Sequence, residues 1–261
     1  MSSASNYCIE IKTVQSGPFK ILIEALKELL TECSFEIDET GLKLMTMDTS
    51  HTVLVHLKLD ACKFCSFYCK QKTVIGINMI NFQKLIKTIN SNDTLTLFME
   101  NDNPNFLGIR IENTEKNTKT TYKLNLMDLD RQDLNIDPAA FNNVITLPSN
   151  DFMKLIRDMS NIADNVEIQN MKNQLVFQCK GDFCQQETVL SDSNNKIQCS
   201  NQSDEIVQGV YSLKYLVLFT KCTNLCNTVF LYLRNNYPLI CQYMVASLGE
   251  IKLCIAPQRV A

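Results

Sequence analysis

The feature of this 261-residue chain that most constrains its fold is an internal repeat. Similar helix and strand patterns recur after 133 or 134 residues, and the matched pairs are Phe19 and Phe152, Leu22 and Leu155, Ile23 and Ile156, Lys87 and Lys221, and Thr94 and Thr228. A Glu-Ile pair recurs at Glu36-Ile37 and Glu167-Ile168, with an offset of 131. Because both ends of each half repeat, one folding unit is expected to occur twice.

Each half is expected to contain two short helices and several strands. Helical patterns cover 19–30, 81–90, 151–161 and 212–222, and N-cap residue types stand at Ser16, Asn81, Ser149 and Ser212. Segments such as GLKLMTMD and QLVFQCK alternate with period two, as half-buried strands do. The sequence therefore predicts an α+β protein, mostly antiparallel sheet with four short helices.

The stretch MDLDRQDLNIDPAAF, from Met127 to Phe141, separates the two halves. It is acidic at first and then carries isolated apolar residues, which is typical of an extended linker lying on a surface. We expect an N-terminal domain over 1–125, a linker over 126–143 and a C-terminal domain over 144–261.

Charge is segregated between the predicted helices and the rest of the chain. The helices carry eight basic and four acidic residues, so the chain's net charge of −3 leaves −7 elsewhere. The basic residues are Lys20, Lys27, Lys84, Lys87, Lys154, Arg157, Lys214 and Lys221. A positive surface of this kind suits phosphates, although solvated lysines on short helices explain the pattern equally well. These helices lack interleaved aromatic residues, so any contact would be to the phosphate backbone and independent of base sequence.

Twelve cysteines without an apparent signal peptide favour free thiols in a reducing compartment. His56, Cys62, Cys65 and Cys69 have residue types that bind zinc, but a strand would turn Cys62 and Cys65 to opposite faces. The strand is favoured, and we expect no metal and no cofactor. No run of 18 apolar residues is present, so no membrane span is expected.

Several phrases resemble the proliferating cell nuclear antigen family, the sliding clamps of DNA replication. They are LMTMDTSH, LNLMDLD, PSNDFMKLIRDMSNIAD, LKYLVLFTKCTNL and IKLCIAP, and the similarity runs from about Val14 to Pro257. The resemblance implies a ring of three subunits, each with two duplicated domains, with sheets outside and helices inside. Double-stranded DNA threads the hole, and the eight basic residues match the family's inner positions.

The resemblance also implies partners and a docking site. The family tethers DNA polymerase as a processivity factor, is placed on DNA by a clamp loader, and binds replication and repair proteins through a short peptide with a Gln and an aromatic pair. The matching docking residues are Met47, His51, Leu54, Leu134, Ile136, Phe141, Pro238, Ala256 and Pro257. Lys172 aligns with the family's regulatory modification lysine. Localisation would be the nucleus, or a cytoplasmic replication site for a viral member.

Three alternatives stay open from the residues themselves. The chain could be a monomeric processivity factor, or one subunit of a heterotrimeric clamp. The resemblance places the subunit-joining edge strands in NTKTTYKLNL and CKGDFCQQETVL, which could pair edge to edge but are partly polar. An enzyme is disfavoured: His51 and His56 lie five apart on a strand-like segment, and GxSxG, P-loop and HExxH motifs are absent. No catalytic residue is predicted.

Overall fold

A computed structural model describes residues 6–129, 134, 141, 143–171, 174–191 and 206–258, and the backbone alone of 198–201. The described chain divides into two compact units. The first comprises 1–46, 56–134 and 245–250, and the second comprises 47–55, 135–244 and 251–261. Each unit thus includes a short segment from the other half of the sequence, namely 245–250 in the first and 47–55 in the second. The predicted boundaries, which are simple cuts along the chain, therefore stay a prediction.

Eighteen strands and four α-helices are described. The strands are β1 Tyr7–Thr13, β2 Glu32–Asp38, β3 Gly41–Met47, β4 Val53–Asp60, β5 Ser66–Cys69, β6 Thr73–Asn78, β7 Thr94–Glu100, β8 Asn103–Asn113, β9 Thr118–Asn125, β10 Asn143–Pro148, β11 Asn165–Met171, β12 Gln174–Lys180, β13 Gln185–Ser191, β14 Gln198–Asn201, β15 Val207–Ser212, β16 Thr228–Leu233, β17 Leu239–Val245 and β18 Gly249–Ile255. The helices are α1 Ser16–Leu29, α2 Met79–Ile86, α3 Ser149–Ser160 and α4 Leu213–Phe219, with 3-10 helices at Ala61–Lys63 and Thr220–Leu225.

The strand order confirms the duplication. In the first repeat neighbouring strands run β5-β1-β7-β8-β9 and β4-β3-β2-β6, and in the second they run β14-β10-β16-β17-β18 and β13-β12-β11-β15. The five-strand run of the first repeat matches that of the second strand by strand, and the two four-strand runs match in the same way. The ladders with described register are antiparallel in both repeats. The predicted α+β class with mostly antiparallel sheet and four short helices is therefore confirmed.

The hairpins give one correction to the predicted repeat. The β2–β3 ladder ends with the pair Asp38 and Gly41, and the β11–β12 ladder ends with the pair Met171 and Gln174. The structural offset here is 133, so Glu36 corresponds to Gln169 and the predicted match with Glu167 is wrong by two residues. A shift of two keeps every side chain on the same face of a strand, so the apolar pattern alone did not reveal it.

Each unit buries one side of its helix pair. In the first, α1 packs against α2 and buries Phe19, Leu22 and Phe82, each at most 2% exposed. In the second, α3 packs against α4 and buries Phe152 and Phe219 to the same extent. Full burial of one such side chain stabilises the fold by roughly 1.5–3 kcal/mol. The opposite sides of these helices carry charged residues together with some exposed or half-exposed apolar ones.

The helix starts differ in detail from the predicted caps. Asn78 caps α2, because its side-chain oxygen accepts the N–H of Asn81 at 3.0 Å. Asn81, the predicted cap, thus supplies the capped N–H. Ser212 is at the N-cap position of α4, without a side-chain capping bond.

Two buried serines begin α1 and α3, at equivalent positions in the repeats, and neither caps its own helix. The Ser16 hydroxyl donates to the Asn90 carbonyl at 3.2 Å. The Ser149 hydroxyl donates to the Cys226 carbonyl at 2.6 Å. Each bond ties the start of the first helix in its repeat to the chain that follows the second, which explains why small polar residues are buried here.

We predict that Ser149→Ala lowers the free energy of unfolding by about 1–2 kcal/mol, because the part-buried Cys226 carbonyl loses the donor that the buried Ser149 hydroxyl supplies. Ser160→Ala, at the exposed end of the same helix, is the matched control, since its hydroxyl bonds the nearby Arg157 carbonyl. Denaturant unfolding measures both variants. Equal losses in the two variants would contradict a structural role for the buried hydroxyl.

Candidate functional site

The eight predicted basic residues lie on or directly after the four helices. Lys20 and Lys27 are on α1, Lys84 is on α2 and Lys87 is its C-cap, Lys154 and Arg157 are on α3, Lys214 is on α4, and Lys221 is on the 3-10 helix that follows it. Six of them are exposed, and Lys20 and Lys27 are half-buried. In α3, Lys154 and Arg157 are exposed while Phe152, Ile156 and Met159 are buried. The helical period therefore separates cations from core.

Lys20 and Lys27 differ from the other six in their interactions. The Lys20 ammonium donates to the carbonyls of Lys87 at 2.9 Å and Ile89 at 3.0 Å. Lys27 pairs with Glu28 at 2.6 Å, a partly exposed pair of small energetic value. Within the described part of the chain, no ion pair involves the remaining six cations.

Positive charge is concentrated on the second helix of each repeat. In α1 and in α3, two basic and two acidic residues cancel. By contrast, α2 with its cap carries Lys84 and Lys87, and α4 with its 3-10 continuation carries Lys214 and Lys221, all without an acidic residue. Each unit thus has one neutral and one doubly positive helix.

A loop between β3 and β4 contains a predicted docking residue, His51, and is organised by Asp48. One carboxylate oxygen of Asp48 accepts the N–H groups of Thr52 and Val53, both at 2.8 Å. The other accepts the N–H of Ser50 at 3.3 Å and the Ser50 hydroxyl. Burial raises the pKa of Asp48, but these hydrogen bonds outweigh it, and the net pKa lies below its ordinary value.

The same loop is tied to α4. The Ser50 hydroxyl and the Tyr215 hydroxyl lie 2.9 Å apart, and hydrogen bonds from Ser50 and Thr52 lower the pKa of Tyr215. The Lys214 ammonium lies 5.6 Å from the Tyr215 ring centroid, within the range of a cation–π interaction. His51 itself has a φ of +54°, a left-handed conformation that the loop imposes.

Sequence reasoning did not single out Asp48, Ser50 or Tyr215. A signal was present in the stretch Asp48-Thr49-Ser50-His51-Thr52, because Asp and Ser side chains favour turns by bonding nearby backbone N–H groups. The link to Tyr215 has no local signal, since 165 residues separate it from Ser50.

Most other predicted docking residues belong to the second unit. Met47 ends β3, Leu54 is on β4, Pro238 directly precedes β17, and Ala256 and Pro257 directly follow β18. The tail after β18 is held by a hydrogen bond from the Gln258 N–H to the Val210 carbonyl at 2.8 Å.

Phe141, from the predicted linker, packs edge-on against Tyr232 and Tyr237, with ring centroids 5.7 and 6.0 Å away. Leu134 belongs to the first unit and is half-exposed. Ile136 and Lys172 lie outside the described residues.

The cysteines with described positions are free thiols. Cys62 and Cys65 are exposed, and no group of three or more His, Cys, Asp or Glu side chains is placed to hold an ion among the residues with described positions. Burial raises the pKa of Cys33 and of Cys222 to about 12. These thiols are therefore poor nucleophiles at neutral pH. None of the described helices has the length and apolar character needed to cross a membrane.

The fold and the charges define a duplicated α+β protein that presents one doubly positive helix in each repeat. The family model for the proliferating cell nuclear antigen N-terminal domain matches residues 8–134, and that for the C-terminal domain matches residues 135–258. The chain belongs to the proliferating cell nuclear antigen family.

Two curated relatives are similar over nearly their whole length. The chain is 34% identical over 258 residues to the probable DNA polymerase sliding clamp 1 of Paramecium bursaria Chlorella virus 1, covering 97% of each chain. It is 32% identical over 255 residues to the proliferating cell nuclear antigen of Chaetomium thermophilum, covering 96% of this chain and 98% of that protein.

Proposed function

We propose that this protein is a DNA sliding clamp that encircles duplex DNA as a homotrimer and tethers a DNA polymerase as its processivity factor. The observation that carries the proposal is the match of both family domains, which together span residues 8–258. The name of the viral relative, a probable DNA polymerase sliding clamp, supports the same role. The chain would act as a scaffold at the site of DNA replication, in the nucleus or in a cytoplasmic viral replication site.

The exposed cations bind the DNA backbone in this proposal. Six basic residues are exposed, and no acidic partner is described for them: Lys84, Lys87, Lys154, Arg157, Lys214 and Lys221. Long, mobile ammonium groups bind phosphates without reading bases, so they can exchange from one phosphate to the next. A closed ring that binds DNA in this way stays on it through topology and still slides.

Self-association would use two edge strands. In the first repeat β9 ends its run of described strands, and in the second β13 does so. Both were predicted as edges, and both leave one row of backbone groups without a strand partner among the described strands. Pairing β9 of one subunit with β13 of the next would be a head-to-tail interface, which closes a ring when three rotations complete a turn.

Partner docking is the second part of the proposal. We assign peptide docking to Met47, His51, Leu54, Leu134, Ile136, Phe141, Pro238, Ala256 and Pro257, for a clamp loader and for replication and repair proteins. Support comes from the ordered loop around His51 and from the half-exposed Phe141, since aromatic and apolar side chains at a surface anchor short peptides. Lys172 is proposed as a modification site on the resemblance alone.

We predict that the protein has a solution mass of three subunits of 29.8 kDa, about 89 kDa. Size exclusion with light scattering at several concentrations measures this, and retention on closed circular but not linearised DNA then tests encirclement. A persistent monomer would overturn the homotrimer. It would favour a monomeric processivity factor or one subunit of a heterotrimeric clamp instead.

A further inference from the structure

Lys20, on the neutral helix α1, makes hydrogen bonds unlike those of the exposed cations. Its ammonium donates to two backbone carbonyls, of Lys87 at 2.9 Å and Ile89 at 3.0 Å. Both carbonyls lie just past the last turn of α2, since Lys87 is its C-cap residue and Ile89 lies two residues further on. This turn is closed by N–H bonds from Lys87 to Gln83 and from Ile89 to Ile86.

The end of a helix is where an ammonium group is most useful to the backbone. The last carbonyls of a helix lack intrahelical donors and carry the negative end of the helix dipole. An ammonium group supplies both hydrogen bonds and positive charge there. Lys20 thus stabilises the C-terminal end of α2, which carries Lys84 and Lys87.

The second repeat provides an internal comparison. At the repeat offset of 133, Lys20 corresponds to Met153, which has no donor. There α4 continues directly into the 3-10 helix Thr220–Leu225, which carries Lys221. In the first repeat Thr88, Ile89 and Asn90 form no helix beyond Lys87. The lysine cap therefore occurs where the helix stops early.

We propose that Lys20 is a positioning residue, which holds the end of α2 so that Lys84 and Lys87 face phosphates, and does not itself bind a phosphate. Moving the Lys20 ammonium to a phosphate would leave two carbonyls without their donor. This inference rests on the proposed function, because it divides the predicted DNA-facing residues by role. It leaves Lys27 as the phosphate-binding residue of α1.

A comparison of salt dependence separates positioning from phosphate binding. We would measure the affinity for a short duplex against salt for K84M/K87M and for K20M/K84M/K87M. If Lys20 acts only through Lys84 and Lys87, the two variants have the same slope. The triple variant could instead have a slope that is shallower by a further 0.9 or so, which corresponds to about one phosphate. That result would identify Lys20 as a phosphate-binding residue and overturn the inference. A wild-type slope in K84M/K87M would instead contradict the proposed DNA binding of α2.

Hydrogen exchange of the single variant K20M tests the cap directly. The amides of Lys87, Thr88 and Ile89 should exchange roughly tenfold faster, the factor that corresponds to 1.4 kcal/mol. K27M removes the same charge from the same helix and should leave these amides unchanged. K20R, which keeps donors and charge, should restore protection. Unchanged exchange in K20M would overturn the positioning role whatever the DNA affinities are.

Discussion

Replacing Lys84, Lys87, Lys214 and Lys221 with Ala should leave the protein folded and sharply reduce its affinity for DNA. The four side chains are exposed, and no ion pair is described for them. Counterion release makes affinity fall with salt with a slope of about −0.9 for each phosphate that the protein neutralises. The log–log slope should therefore become shallower by about 0.9 for every phosphate that the variant no longer binds. Far-UV circular dichroism and thermal unfolding would verify that the fold is kept.

The matched control changes the same total charge elsewhere. Lys63, Lys70, Lys116 and Lys180 are also exposed, and they lie outside the four α-helices and the 3-10 helix that carries Lys221. Replacing them with Ala lowers the net charge by the same four units. If DNA were attracted only by overall charge, both variants would lose affinity equally. A shallower slope in the helix variant alone would support a basic surface on α2 and α4.

Asp48→Asn should destabilise the second unit by about 2–3 kcal/mol and weaken peptide docking. The carboxylate holds the His51 loop through charge-assisted hydrogen bonds from Ser50, Thr52 and Val53, and an amide accepts through only one oxygen. The loop would then sample other conformations before a peptide binds. We expect an affinity at least tenfold lower for a short synthetic peptide with a Gln and an aromatic pair, a loss on the order of 1.4 kcal/mol.

The pH dependence of this effect has a definite sign. Because the pKa of Asp48 is lowered in the folded protein, its contribution to stability is fully present above the unfolded-state pKa of about 3.9. It is lost as pH falls through the folded-state pKa. The difference in unfolding free energy between wild type and Asp48→Asn should thus be constant near neutral pH and shrink below about pH 4.

Asp38→Asn is the control for docking. Asp38 organises another turn, where it accepts the Thr40 N–H at 2.8 Å and the Lys43 ammonium at 2.7 Å. Burial raises the pKa of Asp38, but the hydrogen bonds from Lys43 and Thr40 lower it further, so its net pKa is also depressed. The variant should lose stability without losing peptide affinity. A similar loss of peptide affinity in both variants would show that general destabilisation, and not the His51 loop, is responsible.

The local pattern of the sequence was sufficient to predict helices and strands, but not to align the two repeats residue by residue or to place the helix caps. Alternation with period two predicted the strand Gln174–Lys180 with the bounds that the structure has. The same periodicity allowed the two-residue error between Glu36 and Glu167, because such a shift preserves the buried face. The predicted cap of α2, Asn81, lies three residues after the actual cap, Asn78, because both side chains suit a cap and the chain path selects between them.

The sequence by itself determined the duplication and the segregation of charge onto the helices. Both follow from residue order and helical period, and neither needs distant interactions. Tertiary structure alone decided which lysines keep exposed ammonium groups, since Lys20 and Lys84 look alike in the sequence. It also decided that Ser50 meets Tyr215 and that Ser149 meets Cys226. Such pairs join segments far apart in the chain, and a hydrogen bond depends on where folding places both atoms.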